Sequence, residues 1–137
     1  MVVLLMKTFL LFAAVLSCSS CKELNPPKPR KQVVVWKTMG TWSGHGNSQT
    51  DSFDMNIFRW RVRWKTSNET APGKGHFVLT VNSAISGRPL AEIVRHDGPG
   101  EGLADVNDDP RLYHMVIDSN DIDWTVTVEE PIVTGGQ

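Results

Sequence analysis

The folded part of this sequence contains no cysteine, because the only two, Cys18 and Cys21, lie near the N-terminus. No intrachain disulfide can therefore stabilise the domain, which must depend on its hydrophobic core. The roughly 120 residues that follow position 17 are enough for one such domain, since a chain of that length buries somewhat under 70% of its unfolded surface.

The sequence also has no excess of charge, with 14 basic against 15 acidic side chains. Nucleic-acid binding requires a basic excess and is excluded. The charges are nevertheless unevenly distributed, with nine basic and three acidic residues from Lys22 to Lys65, and one basic and ten acidic from Asp97 to Glu130. This asymmetry favours pairing of the two halves across a sheet over a field that steers a charged ligand.

No apolar run is long enough for a stable membrane-spanning helix. The run from Phe9 to Leu16, preceded by Lys7, is about half of the roughly 20 residues that a spanning helix needs. It predicts a secretory signal peptide over residues 1–17.

The residues after this run predict how the exported chain is held. Val15-Leu16-Ser17-Cys18 resembles a bacterial lipobox, which implies cleavage before Cys18 and lipidation of its sulfur. Cys21 is the rival site, and the polar Ser19-Ser20 step before it makes it the poorer match. A redox or metal-binding CxxC motif needs a folded context that this position lacks.

Residues 18–32 are predicted to be the lipid anchor and a linker, which is rich in proline and basic residues. Such a segment favours an extended conformation and serves as a tether. Its four basic residues can supplement the lipid by about 1 kcal/mol each at an anionic membrane surface. The predicted location is the cell envelope, at the outer membrane of a Gram-negative bacterium, because Ser19 does not resemble an inner-membrane retention signal.

The stretch from Phe58 to Lys65 alternates apolar and basic residues without a break. A β-strand has a side-chain period of two, so the two sets fall on opposite faces. The set predicted to lie in the core is Phe58, Trp60, Val62 and Trp64. The opposite set, here called the cationic ladder, is Arg59, Arg61, Arg63 and Lys65.

Further short apolar or alternating segments are separated by turn residues every 8 to 12 positions, with no amphipathic helix of even two turns. Together they predict seven to nine short strands and a single antiparallel β-sandwich, either jelly-roll or immunoglobulin-like. The last strand places Ile122, Trp124, Val126 and Val128 inward. The domain is predicted to span residues 33–131, with a disordered tail at 132–137.

The aromatic and glycine spacing from Gly40 to Glu129 carries a resemblance. A Trp-Ser-Gly-x-Gly start, the Trp60 and Trp64 strand and the closing Trp-Thr-Val-Thr-Val-Glu segment resemble small β-sandwich domains of uncharacterised bacterial lipoproteins. They are more distantly similar to pre-peptidase C-terminal modules. The resemblance implies a non-catalytic accessory domain and supplies no catalytic motif.

Catalytic and metal-binding patterns are weak. No serine lies in a nucleophile elbow, and His45, His76, His96 and His114 fall in separate segments. The acidic segments 105–109 and 118–123 have the oxygen ligands that calcium prefers, but turn formation explains their composition better. No cofactor and no metal site is predicted.

The predicted function is a non-catalytic, lipid-anchored binding or structural module of the cell envelope, and the predicted state is a monomer. The alternatives are a carbohydrate-binding module, for which Trp36 and Trp42 are the unassigned aromatics, and a metal-assisted hydrolase. The cationic ladder is predicted either to pair internally, with Asp123 and Glu129 in the right phase, or to bind an anionic envelope ligand or protein. The charge asymmetry favours internal pairing.

Overall fold

The computed structural model describes residues 26–135, which form an all-β sandwich of two antiparallel sheets. The predicted fold class is confirmed, and the described part of the chain contains no helix and thus none that could cross a membrane. The strands are β1 (Gln32–His45), β2 (Ser48–Gln49), β3 (Phe53–Met55), β4 (Arg59–Ser67), β5 (His76–Ser83), β6 (Pro89–Asp97), β7 (Gly100–Asn107), β8 (Arg111–Asn120) and β9 (Asp123–Gly135). Residues 26–30 are exposed and have no regular structure.

The strand order distinguishes between the two predicted architectures. One sheet has the order β1-β9-β4-β7, and the other has the order β2-β8-β5-β6, with β3 also paired to β8. If β2 and β3 are counted as one interrupted strand, the antiparallel pairs run from the chain ends inward: β1 with β9, β2 and β3 with β8, β4 with β7, and β5 with β6. This arrangement is the eight-stranded jelly roll, whereas an immunoglobulin-like sandwich would not pair the first strand with the last.

The core lies between the sheets and is built on the predicted alternations. Trp60 and Val62 from β4 are buried, and so is the predicted inward set at the C-terminal end, which is Ile122, Trp124, Val126 and Val128. The Trp60 ring lies 5.1 Å from that of Tyr113 between ring centroids. The Tyr113 hydroxyl donates a hydrogen bond to the Asp109 carbonyl oxygen at 2.6 Å, so its polar end is satisfied.

Two residues of the central alternation depart from the prediction. Phe58 is 66% exposed, because β4 begins one residue later and Phe58 belongs to the preceding bend. Its backbone carbonyl accepts a hydrogen bond from the Asp108 N–H. Trp64 is only partly buried. It packs against Phe77 and His96 near the end of the sandwich where β6 meets β7.

β1 is longer than the apolar, β-branched run Val33–Lys37 that the sequence predicts as the first strand, because it continues through Gly40 and Gly44. A bulge interrupts its register between Thr38 and Gly40. Ring carbons of Trp42 and Trp124 lie 2.5 and 2.6 Å from where a Cβ would stand at Gly40 and Gly44. These glycines therefore permit close packing of the indole rings.

The C-terminal end differs from the predicted disordered tail. β9 continues to Gly135, and its last five residues pair with the first five of β1, from Trp36–Pro131 to Gln32–Gly135. The free start of β1 supplies a hydrogen-bonding partner that the sequence pattern did not reveal. We call this pair, residues 32–36 and 131–135, the terminal ribbon. The signal peptide, Cys18 and Cys21 lie outside the described residues.

Candidate functional site

The middle of the cationic ladder is paired with Glu129 on the neighbouring strand. The Arg61 Nε donates to Glu129 Oε2 at 2.6 Å, and the Arg63 Nε donates to Oε1 at 3.1 Å. The predicted internal pairing is therefore confirmed for these two arginines. Arg61 also stacks on Trp36, with its guanidinium carbon 3.7 Å from the ring centroid.

Glu129 is unusual because it lies on the outer face of its sheet yet is only 6% exposed. Its burial by itself raises the pKa of the carboxyl group, but the hydrogen bonds and charges of Arg61 and Arg63 lower it, and the net pKa is below the ordinary value. The side chain is thus a charged acceptor shared by two cations. The other predicted partner, Asp123, instead contacts His45 and Asn68.

The ends of the ladder are arranged differently. Arg59 donates to the Asn107 side chain at 3.2 Å. Lys65 lies in register with Thr125 and Glu101 and makes no side-chain hydrogen bond to the part of the chain that the structure describes. The four predicted site residues share one sheet face, but the central pair is neutralised in part, so the ladder is not a continuous open cationic surface.

A concave site lies at one side of the sandwich, between the edge strands of the two sheets. β6 is the last strand of one sheet and β7 is the last strand of the other. Between them is a cleft of about 830 Å³, here called the β6–β7 cleft. Its apolar lining includes Trp64, Leu90, Ile93, Val94, Leu103, Ala104 and Val106, and its charged lining includes Arg88, Glu92, Arg95, Asp105, Asp108 and Arg111.

Two bulges in β6 shape this cleft. The pairing of β6 with β5 shifts register between Leu79 and Thr80, and again between Val81 and Asn82. The extra residues on β6 are Ile93 and Leu90. Both line the cleft and pack against the core while staying partly exposed. The bulges thus direct two aliphatic side chains into the opening, a common use of bulges beside binding sites.

The other edge of the cleft is regular. β7 pairs with β4 without a register shift from Thr66–Gly100 to Arg59–Asn107. Within residues 26–135, no strand lies beside its second edge. The turn containing Gly98, whose φ is +75°, joins the two strands at one end. At the other end the Arg111 guanidinium donates to Asp108 at 3.2 Å. The cleft therefore has one irregular wall, one straight wall and two defined ends.

The histidines and acids stay dispersed in the fold. His45 and His76 each contact one carboxylate, Asp123 at 2.8 Å and Asp97 at 2.7 Å. Within residues 26–135 no group of three or more histidine, cysteine, aspartate or glutamate side chains is placed to hold a metal ion. In the acidic segments, Asp108 pairs with Arg111, and Asp121 takes a positive φ of 58° at a turn.

The two tryptophans left unassigned by the sequence have different surroundings. Trp36 is partly exposed and carries Arg61 on its ring. Trp42 packs against Phe53 at 5.5 Å between ring centroids, and its indole N–H donates to Asp51 at 2.6 Å. Each ring thus already contacts other side chains of the domain, Arg61 in the case of Trp36 and Phe53 and Asp51 in the case of Trp42.

The β6–β7 cleft was not among the sites predicted from the sequence. The sequence predicts short strands at Leu90–Arg95 and, more weakly, at Gly102–Val106, but their meeting at one side depends on strand order. A local signal was present in the segment Leu90–Arg95, where adjacent Ile93 and Val94 break the alternation and thereby indicate a bulge.

The fold and the cleft define an all-β, two-sheet jelly-roll domain with an open edge. Comparison with protein-family models and with characterised proteins finds no match to this chain.

Proposed function

We propose that this chain is a non-catalytic binding module, held at the bacterial cell envelope by a lipid on Cys18, that binds an extended peptide segment in the β6–β7 cleft. The observation that carries the proposal is the cleft, in which Leu90 and Ile93, here called the apolar floor, lie within a mostly polar lining beside a straight, free strand edge. We further propose kinship with the small β-sandwich domains of bacterial lipoproteins, and an outer-membrane destination.

A peptide suits the cleft because of the free edge of β7. An edge strand has backbone N–H and C=O groups without partners, and an extended peptide can bond to them as an added strand. β6 offers no such regular edge, because its two bulges interrupt the ladder. β7 is therefore the strand that the peptide extends.

The apolar floor supplies selectivity among peptides. An added strand directs every second side chain to the same face, so one set of side chains meets Leu90 and Ile93. The charged residues around the opening include paired ones, since Arg95 donates to Glu92 at 2.8 Å. We expect peptides with apolar residues at alternate positions to bind, with charge as a secondary determinant.

A display library of random nonapeptides, panned against the full chain, tests the cleft. The proposal expects enriched peptides with alternating apolar residues, and expects Ile93→Lys to abolish their binding because a charge would replace the apolar floor. The matched control is Ile85→Lys, at an 85% exposed position in the β5–β6 turn, which should bind as the wild type does.

Two results would contradict peptide binding in the cleft. One is enrichment of peptides whose binding is indifferent to Ile93→Lys. The other is that the chain binds envelope glycans and no peptides, and that Ile93→Lys abolishes this glycan binding. The second result would establish the carbohydrate-binding alternative.

The anchor is tested by metabolic labelling with a fatty acid in a bacterial host. The lipobox resemblance at Cys18 supports the anchor. Cys18→Ser should abolish labelling, and the matched variant Cys21→Ser should retain it. The reverse pattern would move the lipid to Cys21, and labelling that survives both changes would contradict a cysteine-linked anchor.

A further inference from the structure

The terminal ribbon is apolar on both of its faces. Val35 lies opposite Ile132 on one face, and Val34 lies opposite Val133 on the other. The exposed fractions are 52% for Val33, 50% for Val34, 48% for Val35, 38% for Ile132 and 57% for Val133. A strand that has one face in water and the other on a core normally alternates polar and apolar residues. The exposed ribbon departs from that rule, because both of its faces are apolar.

The ribbon begins where β9 separates from β4. The pairing of β4 with β9 stops at Arg61–Glu129, and beyond that point β1 is the only described strand that pairs with β9. Pro131, which has no N–H to donate, is the first ribbon residue of β9. In the part of the chain that the structure describes, the ribbon is therefore a two-stranded extension with a free edge on each side.

We propose that the terminal ribbon is a second membrane contact, which inserts its valine and isoleucine side chains into the interfacial zone of an anionic lipid bilayer. This inference rests on the lipid anchor proposed above. It adds to that anchor a contact made by the folded domain itself.

A bilayer fits the ribbon better than a second copy of the chain does. A copy paired along the free edge of β1 would bond to the backbone and leave both apolar faces in water. A bilayer interface surrounds an inserted ribbon and covers both faces. The free backbone groups on the ribbon edges limit the depth to the interface, because the hydrocarbon core offers them no hydrogen-bond partners.

The charge of the preceding residues and their place in the sequence both favour a membrane contact at this end of the domain. Lys28, Arg30 and Lys31 are exposed and directly precede the ribbon, which begins at Gln32. Cys18 lies 14 positions before Gln32 in the sequence. Basic residues attract anionic headgroups, and stable membrane attachment commonly combines a lipid with a second contact.

Fluorescence quenching in vesicles tests the inference. The full lipid-bearing chain is reconstituted into vesicles of phosphatidylglycerol and phosphatidylethanolamine whose acyl chains carry bromine, which quenches tryptophan on contact. Val34→Trp places a reporter on the ribbon, and Ile85→Trp places a matched reporter at an exposed turn. Both variants retain the five native tryptophans, so their difference isolates the added ring.

The inference expects a larger fractional loss of emission in Val34→Trp than in Ile85→Trp, with a blue shift of the ribbon reporter. Val133→Trp, on the other strand of the same face, should behave as Val34→Trp does. Circular dichroism and the unfolding midpoint establish that each variant folds, and the second ribbon variant keeps the test decisive if the first does not.

Three results would overturn the inference. Equal quenching of ribbon and turn reporters in vesicle-bound protein would show that the domain stands away from the bilayer, while the anchor holds. Failure of the wild-type chain to bind vesicles would contradict the anchor and the ribbon contact together. A blue-shifted ribbon reporter in a lipid-free dimer would assign the ribbon to a second copy.

Discussion

The β1–β9 pair passes through two different environments along its length. Between His45–Asp123 and Thr38–Glu129 it belongs to the sandwich, and the inward residues Trp124, Val126 and Val128 are buried. Between Trp36–Pro131 and Gln32–Gly135 the same two strands are apolar on both faces and about half exposed.

The difference shows what determines the pattern of a strand. Period-two alternation arises where one face meets a dry core and the other meets water. A strand that loses the alternation is usually covered on both sides, as in the centre of a parallel sheet. The terminal ribbon has the sequence of such a strand, but no layer of the described residues covers it. This is why we propose that it contacts a membrane interface.

Removal of the Glu129 carboxylate, at the junction between the sandwich and the terminal ribbon, should have the largest effect on stability. Glu129 is the last β9 residue paired with β4, and it holds both Arg61 and Arg63. Glu129→Ala leaves a largely buried arginine without its partner, so we expect the free energy of unfolding in urea to fall by about 3 kcal/mol. Glu130→Ala is the control, since its contact with Lys37 at 4.0 Å is worth at most about 1 kcal/mol.

If Glu129→Ala lowers the free energy of unfolding as little as Glu130→Ala does, the arginine–glutamate cluster contributes little to stability. In that case the junction between sandwich and ribbon would be held by the core alone.

Valine-to-alanine substitutions at two positions of β9 should have the next largest effect and should distinguish the two environments. Val128 is fully buried and Val133 is 57% exposed. Val128→Ala should lower the free energy of unfolding by about 2 kcal/mol through lost burial and a residual cavity. Val133→Ala should change it by less than about 0.5 kcal/mol in solution. Equal losses from the two substitutions would mean that the ribbon is packed in the free protein.

The smallest expected effect is a dependence of stability on pH that resides in Glu129. Its pKa in the folded protein is below the ordinary value of 4.5. The stabilisation is therefore complete above the ordinary pKa and is lost as the pH falls through the lower, folded-state pKa. We expect the difference in unfolding free energy between wild type and Glu129→Gln to narrow on acidification. A constant difference down to the acid limit would contradict a charged Glu129.

The sequence was sufficient to predict the sandwich and much of its core. Alternation in β4 and β9 identified Trp60, Val62 and the inward set of β9, because one dry face enforces that period. It failed at Phe58, where the strand began one residue later. Strand starts depend on turn contacts that periodicity does not encode.

The candidate sites were harder to predict because they depend on strand order. The alternation gave Glu129 the right phase to meet the cationic ladder, and the structure places it beside Arg61 and Arg63. The β6–β7 cleft brings together Ile93 and Val106, which are 13 positions apart, only because their strands end two different sheets. The terminal ribbon was missed because residues 131–135 alone look like a fraying tail.

Hydrogen exchange of the β1–β9 backbone amides, with and without anionic vesicles, tests the central claim most directly. In solution, amides near Trp124 to Val128 should be strongly protected, and those of the ribbon should exchange close to the rate of local fraying. Vesicles should slow exchange at Val33 to Val35 and at Ile132 and Val133, and leave the sandwich half unchanged. Ribbon amides that exchange equally fast with and without vesicles, in protein shown to be membrane-bound, would contradict the account.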